Sequence, residues 1–191
     1  MNEAETLPGR SCGSCSLCCK LLRIDEFHKP EGRWCSHCAP GRGGCLIYED
    51  RPSECRNFYC AWLTANDVGP EWNPIECKMV LYAEMDGNRI AVHVDPSKPI
   101  AWREEPYYSQ LREWATTAVE SAQQVVVYIK NRVIVLLPGK EIDLGPMESG
   151  DQIMVASSKT SYGKDWRAYI VPAKDVPPDK VGKWTNWRKL D

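Results

Sequence analysis

Nine of the ten cysteines in this 191-residue chain fall within its first 60 positions: Cys12, Cys15, Cys18, Cys19, Cys35, Cys38, Cys45, Cys55 and Cys60. The first four read CxxCxxCC. Gaps of two residues let successive sulfurs converge on one metal ion while the intervening backbone N–H groups turn toward them, so the spacing predicts chelation. Neighbouring side chains diverge. One of Cys18 and Cys19 is therefore expected to serve this centre, while the other joins a second centre or packs as a small apolar residue; the spacing leaves open which is which. Cys35 and Cys38 form a further CxxC, with Cys45, Cys55 and Cys60 downstream, and Gly41, Gly43 and Gly44 give the chain freedom to turn around a centre. The count fits two four-ligand sites with one cysteine over, or one cubane-type cluster and one zinc.

The remaining candidates are weaker. His37, inside the second CxxC, is expected more as a solvent-facing or supporting imidazole than as a ligand. Cys77 is expected to begin a strand as a buried thiol. His28 and His93 are isolated and are expected to be satisfied or exposed. Asp25 with Glu26, Glu49 with Asp50, and Glu104 with Glu105 are ordinary surface neighbours, since adjacency alone places no two carboxylates on one site. The chain has no glycine-rich phosphate loop, no GxSxG elbow, no HExxH helix and no GxGxxG after a strand. Nothing identifies a nucleophile, so an enzymatic role is disfavoured.

CxxCxxCC followed by Cys45, Leu46, Ile47, Tyr48, two acidic residues, Arg51, Pro52, Ser53, Glu54, Cys55, Arg56, Asn57 and Phe58 resembles the bacterial YkgJ-like cysteine-cluster family. That resemblance covers roughly residues 12 to 60. It implies a zinc- or iron-chelating domain, described for some members as an iron–sulfur domain, with no assigned reaction. A related cysteine motif occurs in flagellin lysine methylases, whose whole length this chain is too short to match. Independently of the resemblance, thiolates around a divalent metal leave a net negative charge that is costly to bury without counter-charges. Arg51 and Arg56 are expected to supply them. Tyr48 and Phe58 are expected to shield the centre, whereas Trp34, Phe58, Tyr59 and Trp62 read more simply as core.

A disulfide framework is the rival reading of so many cysteines. It is disfavoured because Met1 to Arg10 contains no apolar stretch of the kind a secretory signal needs, and a cytoplasmic location is expected. The net charge of −2 and pI near 6.0 argue against nucleic acid as a partner, which would demand clustered Lys and Arg. No apolar run approaches the length of a bilayer-spanning helix, so no membrane association is expected.

Elements must then position these groups. Up to Trp62 the chain is dense in Cys, Gly and Arg and lacks periodic segments; from Lys78 onward strand patterns dominate. The expected division is a cysteine-cluster metal-binding domain over 1–76 and an α+β domain over 77–191. Lys78 to Asp86 and Arg89 to Val94 predict a hairpin about a turn containing Gly87 and Asn88. Tyr107, Leu111, Trp114, Ala115, Ala118 and Val119 recur at helical spacing within Glu104 to Ala122 and predict one amphipathic helix. Val125 to Ile129, Arg132 to Leu137, Gln152 to Ser157 and Arg167 to Val171 predict further strands. The fold class is therefore α+β: an irregular Cys-rich, metal-stabilised N-terminal domain, then an antiparallel sheet with the helix packed on one face. Val176 to Lys180 reads as an extended tether, after which Trp184, Trp187 and Leu190 are expected to dock back.

Three functions are compatible with this pattern. The leading one is a metal-binding protein that holds zinc or iron through clustered thiolates for structure, with a C-terminal half that binds an unknown protein or small-molecule partner. The second is an iron–sulfur protein with a redox or cluster-assembly role, which is weakened because the Cys-Pro that follows in the ferredoxin signature is missing, Cys19 preceding Lys20. The third is a metalloenzyme, which would need an open coordination position that an all-thiolate site does not offer.

Overall fold

The computed structural model describes residues 6–40, 43–84 and 87–176, and the backbone of 187–189. Its elements are α1 (Leu17–Leu21), β1 (Cys38–Ala39), β2 (Gly44–Cys45), α2 (Ser53–Arg56), α3 (Ala61–Thr64), α4 (Pro74–Cys77), β3 (Met79–Glu84), β4 (Arg89–Val94), α5 (Tyr107–Ala118), β5 (Gln124–Ile129), β6 (Arg132–Leu137), β7 (Lys140–Pro146), β8 (Gln152–Thr160), β9 (Gly163–Val171) and β10 (Trp187–Lys189). The protein is α+β, with antiparallel-rich sheets and one main helix. Two compact units divide it, Met1–Tyr82 with Val92–Trp102 and Ala83–Ala91 with Arg103–Asp191. The division passes through β3 and β4, and the expected boundary between 76 and 77 falls inside the first unit.

In the first unit the elements before β3 are all five residues or shorter. Cysteine, glycine and proline punctuate the chain too often for longer periodic structure. Two small apolar clusters lie among its described residues. One is formed by Leu17, Leu21, Cys60, Leu63 and Val80, and the other by Ile24, Cys35 and Cys38. Trp72 and Trp102 are fully buried. Lys20 of α1 pairs with buried Asp95 at 2.7 Å, tying the cysteine-bearing helix to the segment after β4.

In the five-stranded sheet the order is β3-β4-β5-β6-β7. Val125 to Val127 and Val133 to Leu137 are buried on both faces of β5 and β6, consistent with their continuous apolar runs. These two strands pair antiparallel about Lys130 and Asn131, with Lys130 at φ +53 closing the tight turn. α5 buries Leu111, Ala115 and Ala118 and packs on β5 and β6. It is shorter than predicted because Pro106 occupies its N-cap and Val119–Ser121 tightens into a 3₁₀ turn ending at left-handed Ala122. β7 is absent from the sequence expectation. Its mixed polar pattern hides it, although Pro138-Gly139 between Leu137 and Lys140 is a recognisable turn.

β8 and β9 extend beyond their predicted ends and form a separate three-stranded sheet with β10, instead of joining the first. β10 pairs parallel to β8, with Trp187 opposite Val155, so not every pairing is antiparallel. The expected tether beyond residue 176, Trp184 and Leu190 lie outside the described residues.

Candidate metal centre

Short turns aim the cysteines. The N–H of Cys15 donates to the Cys12 carbonyl at 2.8 Å, closing the first CxxC, and α1 then carries Cys18 and Cys19 side by side. The N–H of Cys35 donates to the carbonyl of Cys19 at 3.0 Å, so the second CxxC is fastened to the end of the first motif, and Cys38 N–H closes that turn on Cys35 at 3.1 Å. Antiparallel β1 and β2 set Cys38 opposite Cys45. Cys55 rides in α2, started by Pro52, and Cys60 is the N-cap of α3. Gly44 has φ +64, and a Cβ there would lie 2.7 Å from the Gly13 carbonyl oxygen. Only glycine permits both that backbone conformation and this close approach between the two cysteine loops.

Eight of the nine candidate cysteines line one cavity of about 120 Å³; Cys38 is the exception. Phe27, Ile47, Phe58 and Val80 make much of the rest of the wall, with Arg51 and Tyr48 also facing the space. All ten cysteines are free thiols. Among the described residues no three Cys, His, Asp or Glu side chains stand in the mutual arrangement of a closed metal site. The sulfurs face a common space without converging on one point.

Electrostatics separates them. Cys19 is drawn down to about 6: the Cys18 thiol donates to its sulfur, burial opposes this, the Cys38 thiol adds a second hydrogen bond, and Lys29 and Arg51 supply positive charge. Cys18 moves well up because it is that donor, because it is buried, and because neighbouring sulfurs repel its ionised form. Cys18 and Cys19 titrate as a pair, the first proton leaving easily and the second held. Cys12 is pushed to about 11 by burial and by Cys15 and Cys60, with Arg51 opposing. Burial likewise comes first in pushing Cys38 and Cys55 to about 11 and in raising Cys15 and Cys60. Buried thiols of this kind hold their protons until a cation compensates the charge.

Of the two arginines expected near the sulfurs, Arg51 is in place, with its guanidinium 3.7 Å over the Tyr48 ring and its Nε donating to the Tyr48 carbonyl at 2.8 Å. Arg56 is exposed and does not line the cavity. The second cation is Lys29, which the sequence reading missed. It is buried, its ammonium donates to the carbonyls of Leu22 and Pro30, and it lies within electrostatic reach of Cys18, Cys19 and Cys35. A lone lysine after a histidine carries no signal of burial; an isolated bridge between Ile24 and Lys29 around left-handed His28 folds it inward.

His37 lines the cavity, with its ring 4.9 Å from that of Phe27. Cys77 is buried but ends α4 and precedes β3; its Sγ lies within hydrogen-bond reach of the Trp72 and Met79 carbonyls, and burial, opposed by backbone hydrogen bonds at Met79 and Cys77, pushes the thiol to about 12. It does not line the cavity. His93 is satisfied, as expected: Nδ1 lies 3.2 Å from Glu31 and Nε2 3.1 Å from the Tyr82 hydroxyl. Trp34 is exposed, with the Lys20 ammonium 5.6 Å from its ring centre, and so is not core. Trp62 is half-buried and lines the cavity, and its Nε1 is buried without a hydrogen-bond partner. An orphaned buried donor on a cavity-lining residue suits a negatively charged partner.

No family model, curated protein or solved structure matches the chain. Among the described residues no helix is long and apolar enough to cross a membrane.

Proposed function

We propose that this protein is a metal-binding protein whose first unit chelates zinc or iron through clustered cysteine thiolates. The observation that carries this reading is eight cysteines of the expected set around one cavity. Soft thiolate donors select zinc, copper(I) or iron–sulfur chemistry over hard cations, and Arg51, Lys29 and the orphaned Trp62 Nε1 would offset or hydrogen-bond the negative charge that thiolates bring. The donor set therefore fits the metal. A bound metal would supply charge neutralisation and cross-linking.

The role we assign it is structural. Among the described residues the cysteine-bearing segment before β3 has no helix or strand longer than five residues, and a chain of that kind gains its folding free energy from the metal. An iron–sulfur cluster is the second reading, favoured by cavity size: at about 10–15 Å³ per water-sized sphere, about 120 Å³ exceeds what a single ion fills. The second unit, with its larger sheets, would bind a protein or small-molecule partner.

The test is iron, zinc and acid-labile sulfide per chain, with a visible spectrum, on protein purified without oxygen. Zinc without colour supports structural chelation. Iron with matching sulfide supports the cluster. Absence of all of these metals from protein grown with both refutes the proposal.

A further inference from the structure

The cavity wall is not uniform in which sulfurs it groups. Cys12 and Cys15 pack against the cluster formed by Leu17, Leu21, Cys60, Leu63 and Val80, whereas Cys19 and Cys55 pack against the other, formed by Ile24, Cys35 and Cys38. Backbone geometry reinforces the second group: Cys35 N–H is bonded to the Cys19 carbonyl, Cys38 N–H to the Cys35 carbonyl, and Cys45 pairs opposite Cys38.

Helix α1 decides where Cys18 and Cys19 fall. Leu17 and Leu21 both enter the first cluster and so fix the inward face of the helix. At about 100° per residue, Cys18 lies about 60° from Leu21 and Cys19 about 160° from it. Cys18 therefore sits on the flank of the first cluster, while Cys19 points away from Leu17 and Leu21 and packs against the second, the two sulfurs staying in hydrogen-bond contact.

Resting on the metal-binding reading above, we infer that the cysteines form two adjacent metal centres that meet at the Cys18–Cys19 step. Cys12, Cys15, Cys18 and Cys60 hold the first; Cys19, Cys35, Cys38 and Cys55, the sulfurs in and against the second cluster, hold the second, with Cys45, which lines the cavity but belongs to neither cluster, the spare sulfur opposite Cys38. The doubled cysteine gives each centre one ligand from a single helical turn and holds the centres in contact. Cys77 belongs to neither, since its sulfur is bonded to the Trp72 and Met79 carbonyls.

The experiment counts zinc ions by native mass spectrometry on the full chain, reconstituted anaerobically with zinc alone. Wild type and Cys77→Ser should carry two. Cys12→Ser, Cys18→Ser, Cys19→Ser and Cys38→Ser should each carry one. The same-side pair Cys12→Ser with Cys60→Ser should still carry one, whereas Cys18→Ser with Cys19→Ser, and Cys12→Ser with Cys38→Ser, should carry none. Because a double variant can lose metal by failing to fold, the same-side pair carries the comparison, with circular dichroism of each species beside it. A single zinc in the wild type overturns the partition while leaving metal binding intact; no zinc also overturns the partition, and no zinc together with no iron in the protein as purified overturns the metal-binding reading too. Retention of one zinc by the Cys18, Cys19 double variant places both cysteines in one centre and also overturns the partition.

Discussion

Replacing Gly44 by alanine tests whether close contact between the two cysteine loops holds the site together. A left-handed backbone costs an L-residue about 1–2 kcal/mol, and Gly44 has φ +64. The added methyl would also stand 2.7 Å from the Gly13 carbonyl oxygen, and forcing a group into filled space costs about 1–3 kcal/mol. Restricting the unfolded chain returns about 0.4–1 kcal/mol. The sum is a loss of about 3 kcal/mol. Gly32 is the control, because it has φ +72 in the same unit but nothing within 4 Å of its would-be Cβ. Gly32→Ala should lose only about 1 kcal/mol. Urea unfolding of the two variants as purified, at equal metal content, separates them: with a slope of about 2 kcal/mol per molar, the Gly44→Ala midpoint should lie about 1 M below that of Gly32→Ala. Gly44→Ala should also release metal faster to a chelator, since Gly44 and Gly13 adjoin Cys45 and Cys12. Coincident midpoints with equal metal retention would show that the approach of these loops holds nothing in place.

Two other perturbations have worked outcomes. Trp62→Phe removes the buried unpartnered Nε1 donor, whose desolvation costs about 1–3 kcal/mol, at the expense of some buried area. Stability at equal metal content should stay within about 1 kcal/mol of wild type, while metal leaves faster to a chelator; unchanged release would remove Trp62 from the charge-binding wall. For Asp95, burial pushes the carboxyl up, but the Lys20 ammonium at 2.7 and 2.8 Å and the Ser97 backbone N–H at 2.9 Å bring it below its ordinary value. A depressed carboxyl stabilises the fold above its unfolded value of about 3.9, and that contribution disappears as pH falls through the lower folded value. Asp95→Asn should therefore cost about 1.5–3 kcal/mol at neutral pH, and the difference from wild type should shrink in urea titrations at increasingly acid pH. A pH-independent difference would show that the carboxylate's charge plays no part.

Two-residue gaps are local geometry and account for Cys12, Cys15 and Cys18 sharing the cavity, whereas Cys45, Cys55 and Cys60 have no such gap and reach it through tertiary structure, and Cys38 of the second CxxC stays outside it. Apolar periodicity likewise determined β5, β6 and the centre of α5, whose patterns are continuous and strongly biased. Tertiary structure decided the rest. β7 carries a mixed pattern and exists because β6 offers an edge, while β8 and β9 form a sheet of their own, a pairing that no local propensity encodes. Lys29 and Trp62 reached the cysteines only through contacts made by folding. Which way Cys18 and Cys19 divide was invisible in a pair of identical neighbours. Under the partition proposed above it is read from Leu17 and Leu21, since burying those two side chains fixes the rotation of α1 and leaves Cys18 and Cys19 about 100° apart around it.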